Sequence, residues 1–128
     1  MESKILVVDD DLSLLKTTSQ LLQRIGFDVV AVEDGNTALT LIAAESFNLV
    51  ITDLRMPGMM GDELAKCIRQ KWPGLPIIMI TGFPKEMEAS GMSEDDIDAL
   101  LLKPYSLREL ENTIRRVLKA ANPADLAA

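Results

Sequence analysis

Ile5-Leu6-Val7-Val8-Asp9-Asp10-Asp11 decides how the rest of the sequence is read. Four apolar residues in a row, β-branched at three positions, are too short for a core helix and do not alternate with polar ones. Such a run is a strand covered on both faces, as in a parallel sheet. Three carboxylates follow at once, which a strand end tolerates only if something there uses their charge. Working outward, four more runs of the same kind appear: Val29-Val30-Ala31-Val32, Leu49-Val50-Ile51, Ile77-Ile78-Met79-Ile80 and Ala99-Leu100-Leu101-Leu102.

Between the runs the apolar spacing changes to three and four. Leu14, Leu15, Thr18, Leu22 and Ile25 mark a first helix that ends at Gly26, a suitable C′ residue. Gly35–Ala44 carries Ala38, Leu39 and Ile42. Gly61–Trp72 carries Leu64, Ala65 and Ile68 and stops at Trp72-Pro73-Gly74. The last helix opens on a capping box, Ser106-Leu107-Arg108-Glu109, and continues with Leu110, Ile114, Val117 and Leu118 on one face. Pro84–Ile97 is the weakest segment: Gly91 splits it, Glu94-Asp95-Asp96 makes its second half polar, and one short helix is expected there. Alternating strands and helices with short connections predict an α/β fold, a doubly wound five-stranded parallel sheet with helices on both faces. The expected organisation is one domain over residues 1–120 and a flexible tail or linker over 121–128.

In such sheets, ligands bind beyond the carboxyl ends of the strands. The residues there are Asp9, Asp10 and Asp11 after the first run, Thr52 and Asp53 after the third, Thr81 after the fourth and Lys103 after the fifth. Two carboxylates about 5 Å apart repel by roughly 3 kcal/mol at an effective dielectric near 20. A crowded set therefore raises its own pKa values or recruits a cation. Lys103 supplies one positive charge, and an all-oxygen site with several carboxylates suits Mg²⁺ for the rest. Each residue also has a plainer use. Asp10 or Asp11 can cap the first helix, Asp53 and Thr81 can be ordinary strand-end residues, and Lys103 a solvated surface lysine. Four strand ends carrying such residues on one rim make the joint plain reading much weaker than any single one.

Composition narrows the chemistry. The chain has 128 residues, 13 Lys and Arg against 20 Asp and Glu, a net charge of −7 and no histidine. Without histidine there is no Ser-His-Asp triad, no Cys-His pair, no histidine metal ligand and no phosphohistidine on this chain. The single cysteine, Cys67, excludes internal disulfides and is read as a buried or half-buried thiol. The acidic balance argues against direct nucleic-acid and membrane binding. No apolar run approaches the length of a spanning helix and no signal peptide is read at the N-terminus, so a cytoplasmic location is expected.

Val7-Val8-Asp9-Asp10, Thr52-Asp53-Leu54-Arg55-Met56-Pro57-Gly58, Ile80-Thr81-Gly82 and Leu102-Lys103-Pro104-Tyr105, in that order, resemble the receiver domain of two-component response regulators. The resemblance covers the chain from about Lys4 to Ala120. It implies a flavodoxin-like sheet of strand order 2-1-3-4-5. It also implies a phosphoryl-transfer switch in which Asp53 accepts the group from a histidine on a sensor kinase or phosphotransfer domain. By the same resemblance Asp10 and Asp53 ligate Mg²⁺, Asp9 acts through water, and the Arg55 carbonyl completes the protein ligands. Lys103 and Thr81 contact phosphate oxygens, Thr81 and Tyr105 rearrange on phosphorylation, and the Lys103-Pro104 bond is cis. Output is expected through a downstream protein or a homodimer partner. Arg55 and Phe83 occupy positions that tune phosphate loss in this family, and their bulk is expected to hinder the hydrolytic water. The stretch from Thr81-Gly82-Phe83 to Lys103-Pro104-Tyr105-Ser106-Leu107 also resembles receivers at the C-terminus of hybrid sensor histidine kinases, and is equally compatible with a free-standing regulator.

Three other readings compete on the residues. Asp9-x-Asp11 faintly resembles haloacid-dehalogenase phosphatases, with Asp9 as nucleophile, but Ser13 departs from that motif and Asp53 is left idle. A flavodoxin needs hydroxyls and glycines in the first loop, where these aspartates repel a phosphate. A receiver serving only as scaffold is at odds with the full set of chemical residues.

Overall fold

The computed structural model describes residues 3–83, 85 and 94–121. Strands β1 (Lys4–Val8), β2 (Asp28–Val32), β3 (Leu49–Asp53), β4 (Ile77–Thr81) and β5 (Ala99–Leu102) alternate with helices. These are α1 (Leu12–Arg24), α2 (Gly35–Ala44), α3 (Gly61–Lys71) and α4 (Leu107–Ala121). All strand pairs are parallel, in the order β2-β1-β3-β4-β5. The chain thus starts beside the middle of the sheet, goes outward to β2, then reverses across β1 to β3. That reversal opens a crevice at the carboxyl ends of β1 and β3, where no connection crosses.

Period-two alternation divides the core into two layers. Ile5, Val7, Leu49, Ile51, Ile78 and Ile80 pack against Leu15 and Leu22 of α1 and Leu110, Ile114 and Val117 of α4. Leu6, Val8, Val50, Ile77 and Met79 pack against Ala38 and Ile42 of α2 and Leu64, Ala65 and Ile68 of α3. Full burial of each large aliphatic side chain contributes about 1.5–3 kcal/mol, so the central strands anchor the rim residues that follow them.

The helix ends follow their sequence signals. Asp11 caps α1, accepting from the Leu14 amide, and Gly26 beyond its end takes φ 105°. Asp34 caps α2 through the Thr37 amide at 2.7 Å. The Ser106–Glu109 capping box closes in both directions, at 3.1 and 3.4 Å. Asp98 fixes the edge of the sheet: its Oδ2 accepts from the Ile77 amide at 2.7 Å and from Arg69 of α3 at 2.8 Å.

The expectation of strands covered on both faces holds for β1, β3 and β4 but not for β5. Ala99 and Leu101 are buried, whereas Leu100 and Leu102 are 39% and 45% exposed. As an edge strand, β5 receives a layer of α4 on one side only among the described residues. β2, the other edge, is partly covered on both faces, Val29 packing into one layer and Val30 and Val32 into the other. Most of Pro84–Ile97, where the sequence predicts a short helix, lies outside the described residues, as does the tail after Ala121. Of that segment the structure describes a 3₁₀ turn at Glu94–Asp96.

Candidate functional site

Each residue at the crevice is set by the strand before it. The β1 ladder extends past Val8 through the Asp9 amide, which donates to the Val32 carbonyl at 3.1 Å. This turns the Asp9 carboxylate inward, where its Oδ1 accepts the Asp11 amide at 3.0 Å. Asp53 is the last residue of β3 and 9% exposed. The Leu54 amide, just beyond, donates to the Ile80 carbonyl at 2.9 Å and pins this strand end against β4. From β5, Lys103 follows the strand, its amide donating to the Thr81 carbonyl at 2.9 Å. The Lys103-Pro104 bond that follows is cis.

These placements converge. Carboxylate oxygens of Asp9, Asp10 and Asp53 lie within 4.8 Å of one another, and Lys103 Nζ donates to Asp53 Oδ2 at 2.8 Å. Burial pushes the Asp9 pKa up, helped by the charges of Asp53 and Asp10 and opposed by the Asp11 amide and Lys103. For Lys103, burial acts to lower the pKa, but the bond to Asp53 and the Asp53 and Asp9 charges outweigh it and the net shift is upward. Three carboxylates against one ammonium leave net negative charge in a partly buried pocket. Their hard oxygen donors fit a divalent cation such as Mg²⁺, with water completing its shell.

Thr81 ends β4 fully buried, and its hydroxyl accepts the Phe83 amide at 3.1 Å. Arg55 and Phe83, two residues beyond Asp53 and Thr81, meet across the two loops, with the guanidinium carbon 5.5 Å from the ring centroid. Gly61 reads from the sequence only as a helix start, yet it shapes the site. A Cβ there would lie 2.2 Å from the Asp53 carbonyl oxygen, and its own amide donates to Leu54 O at 2.8 Å. The N-terminus of α3 thus presses directly on the backbone of Asp53 and Leu54.

The two residues expected to rearrange together, Tyr105 and Thr81, lie on different faces of the sheet. The Tyr105 ring packs into the layer of α1 and α4, and burial raises its pKa, with the neighbouring Thr18 side chain acting against that rise. By strand alternation Thr81 belongs to the opposite face with Met79, where the β5 neighbours are Leu100 and Leu102.

Rigid strands thus hold an acidic crevice next to a lysine already bonded to one carboxylate, at the point where a doubly wound sheet reverses. Fold and site together define a phosphoacceptor signalling domain. The chain belongs to the response regulator receiver domain family, whose model matches residues 5–115. It is 35% identical over 116 residues to the response regulator protein FleR of Pseudomonas aeruginosa, covering 91% of this chain and 24% of FleR. Among solved structures, a CheY-like receiver domain from Methanospirillum hungatei matches with TM-score 0.89 and 33% identity, covering 97% of this chain and 99% of that one. The response regulator TrrA of Thermotoga maritima, crystallised in complex with Mg(2+)-BeF, matches with TM-score 0.82 and 31% identity, covering 91% and 99%. The chain spans between about a quarter and a half of the length of the curated relatives it matches. Among the described residues, no helix is long and apolar enough to cross a membrane.

Proposed function

We infer that Asp53 is the phosphoacceptor of this receiver domain and that its donor is a phosphohistidine on a sensor kinase or phosphotransfer domain. The observation that carries this is the Asp53 carboxylate itself: bonded to Lys103 at 2.8 Å and clustered with Asp9 and Asp10. The chain has no histidine of its own, so the donor histidine lies on another domain or protein.

One Asp53 oxygen attacks phosphorus, the phosphorus–nitrogen bond of the donor breaks, and the electron pair leaves on the imidazole. Asp10 and Asp53 would hold Mg²⁺, with Asp9 acting through water and the Arg55 carbonyl completing the protein ligands. The cation supplies charge neutralisation to the incoming phosphoryl group. Lys103 pairs with one phosphoryl oxygen and Thr81 donates its hydroxyl to another, which is the positioning and charge balance that phosphoryl transfer needs. Thr81 and Tyr105 rearrange on phosphorylation, each on its own face of the sheet. The domain acts as a switch and not as a turnover enzyme, spans residues 1–120, and works in the cytoplasm. It passes its state to a downstream protein or a second copy, without contacting nucleic acid or membrane itself.

Incubation with acetyl phosphate and Mg²⁺, followed by mapping of the phosphorylated residue, tests this. The expected result is one phosphoryl group on Asp53 and none in Asp53→Asn. Modification of Asp9 with Asp53 untouched would overturn it.

A further inference from the structure

The chain is acidic as a whole, yet one of its two helical layers is basic. Together α1 and α4 carry six Lys or Arg against two Glu, a balance of +4 in a chain of net charge −7. Both glutamates are engaged, Glu109 in the capping box and Glu111 with Arg115 at 2.9 Å. Lys16, Arg24, Arg108, Arg116 and Lys119 are exposed, and none has an ion-pair partner among the described residues. Arg108, Arg115 and Lys119 recur at intervals of seven and four, so they form one stripe along α4. The stripe runs beside the seam between α1 and α4, and a cavity lies at each end of that seam. Next to Lys103, a cavity of about 400 Å³ is lined by Leu14, Leu21, Pro104, Tyr105 and Leu107. At the opposite end of the helices, one of about 570 Å³ is lined by Ile25, Phe27 and Leu118 together with Arg115 and Lys119. Arg115 is held there by Phe27, its guanidinium carbon 5.3 Å from the ring centroid.

We propose that the seam between α1 and α4 is a docking surface for an acidic amphipathic helix of a partner protein. An apolar floor with cations along one edge is complementary to a helix that is apolar on one face and carboxylate-bearing on the next. Leu107 to Lys119 spans about 18 Å, the length of roughly twelve helical residues. Apolar side chains of the partner fill the two cavities, and its carboxylates lie along Arg108, Arg115 and Lys119. A nucleic acid fits this surface less well. Its phosphates would use the cations but not the leucines, and Phe27 is buried and Tyr105 half-buried, so neither ring offers a base an open stacking face. The surface is additional to the acceptor crevice and does not depend on Asp53. Charge alone makes a different statement, namely that any cation of this layer counts equally. Arg116 sits about 100° around α4 from Arg115, and Lys16 lies on the far side of α1 from Leu14 and Leu21, so both are equal charges away from the seam.

Anisotropy titrations of the whole chain with labelled, helix-stapled peptides of about 14 residues, roughly four turns, test this. One peptide has leucine on one face and glutamate on the other, a second replaces the leucines with serine, and a third replaces the glutamates with lysine. The leucine–glutamate peptide is expected to bind, and the other two to bind at least about tenfold more weakly. Exposed ion pairs are individually small, so reversing both charges in Arg108→Glu/Lys119→Glu should weaken the leucine–glutamate peptide by about tenfold. The off-seam variant Lys16→Glu/Arg116→Glu should stay within about twofold of the parent. All of these side chains are exposed, so the variants keep the fold. Equal weakening by both double variants, or equal binding of the serine-faced peptide, would reduce the effect to diffuse charge and overturn the docking surface. So would an absence of binding by the leucine–glutamate peptide. Tighter binding of oligothymidylate or of phosphatidylglycerol vesicles, lost in Arg108→Glu/Lys119→Glu, would overturn it in favour of a nucleic acid or a membrane.

Discussion

Asp9, Asp10 and Asp11 are consecutive carboxylates with three different surroundings. Asp9 is buried and accepts a backbone amide, Asp10 is exposed at the rim, and Asp11 caps α1. The sequence announces that one of them is a cap but leaves Asp10 and Asp11 as equal candidates, because the choice depends on where the first helical turn starts. The side on which Tyr105 packs is illegible for a related reason. Past the end of β5 the two-residue alternation lapses, so the face an aromatic takes is not written in its spacing. Asp34 shows what a cap does alone. Its carboxyl is held below the usual carboxylate range, first by the Thr37 amide and then by the Thr37 hydroxyl. A folded pKa lower than the unfolded one contributes stability above the ordinary value of 3.8, lost as pH falls through the lowered value. Asp34→Asn should therefore melt below the parent at neutral pH, with the gap closing as pH approaches 3.8 and below. Thermal melts across that range check this, and a gap independent of pH would show that the charge contributes nothing.

At the level of elements, the contact between α3 and β3 governs the site more than its sequence signal suggests. Gly61 reads as a common helix-start residue, and only the 2.2 Å that would separate an added Cβ from the Asp53 carbonyl oxygen shows that nothing larger fits. Because the obstacle is backbone, relief requires α3 or the end of β3 to shift. Gly61→Ala should cost about 1–3 kcal/mol by overpacking and slow acetyl phosphate labelling of Asp53, read by thermal melts and phosphoprotein assay. At the far end of α1 the strain is conformational. Gly26 sits at φ 105° with open space around it. Gly26→Ala should cost about 1–2 kcal/mol and leave labelling unchanged, since α1 meets the site only at its other end. Edge strands carry the remaining lesson. Four apolar residues identify β5 as a strand, but which of its faces is covered depends on what packs over Leu100 and Leu102, a long-range property that no local run encodes.

For the molecule as a whole, the sheet was legible because every strand is a short apolar run, while its order followed only from the receiver resemblance that the strand-end motifs carry. Charge ties the same residues to overall stability. Three carboxylates gathered within 4.8 Å weaken the fold when they stand alone, and a cation that binds only the folded crevice recovers that loss by mass action. Raising Mg²⁺ to a hundredfold above its dissociation constant should stabilise the parent by about 2.7 kcal/mol, with little or no shift in Asp10→Asn, measured by melts with and without chelator. An equal shift in that variant would place the cation elsewhere. The order β2-β1-β3-β4-β5 has a further consequence. Asp9, Asp53 and Lys103 come from strands 1, 3 and 5, and residues 44 and 50 positions apart meet only after the sheet is assembled almost to its last strand. A chain still emerging from the ribosome, or clipped before β5, has the aspartate without its lysine. The complete crevice therefore exists only in a chain folded through its last strand.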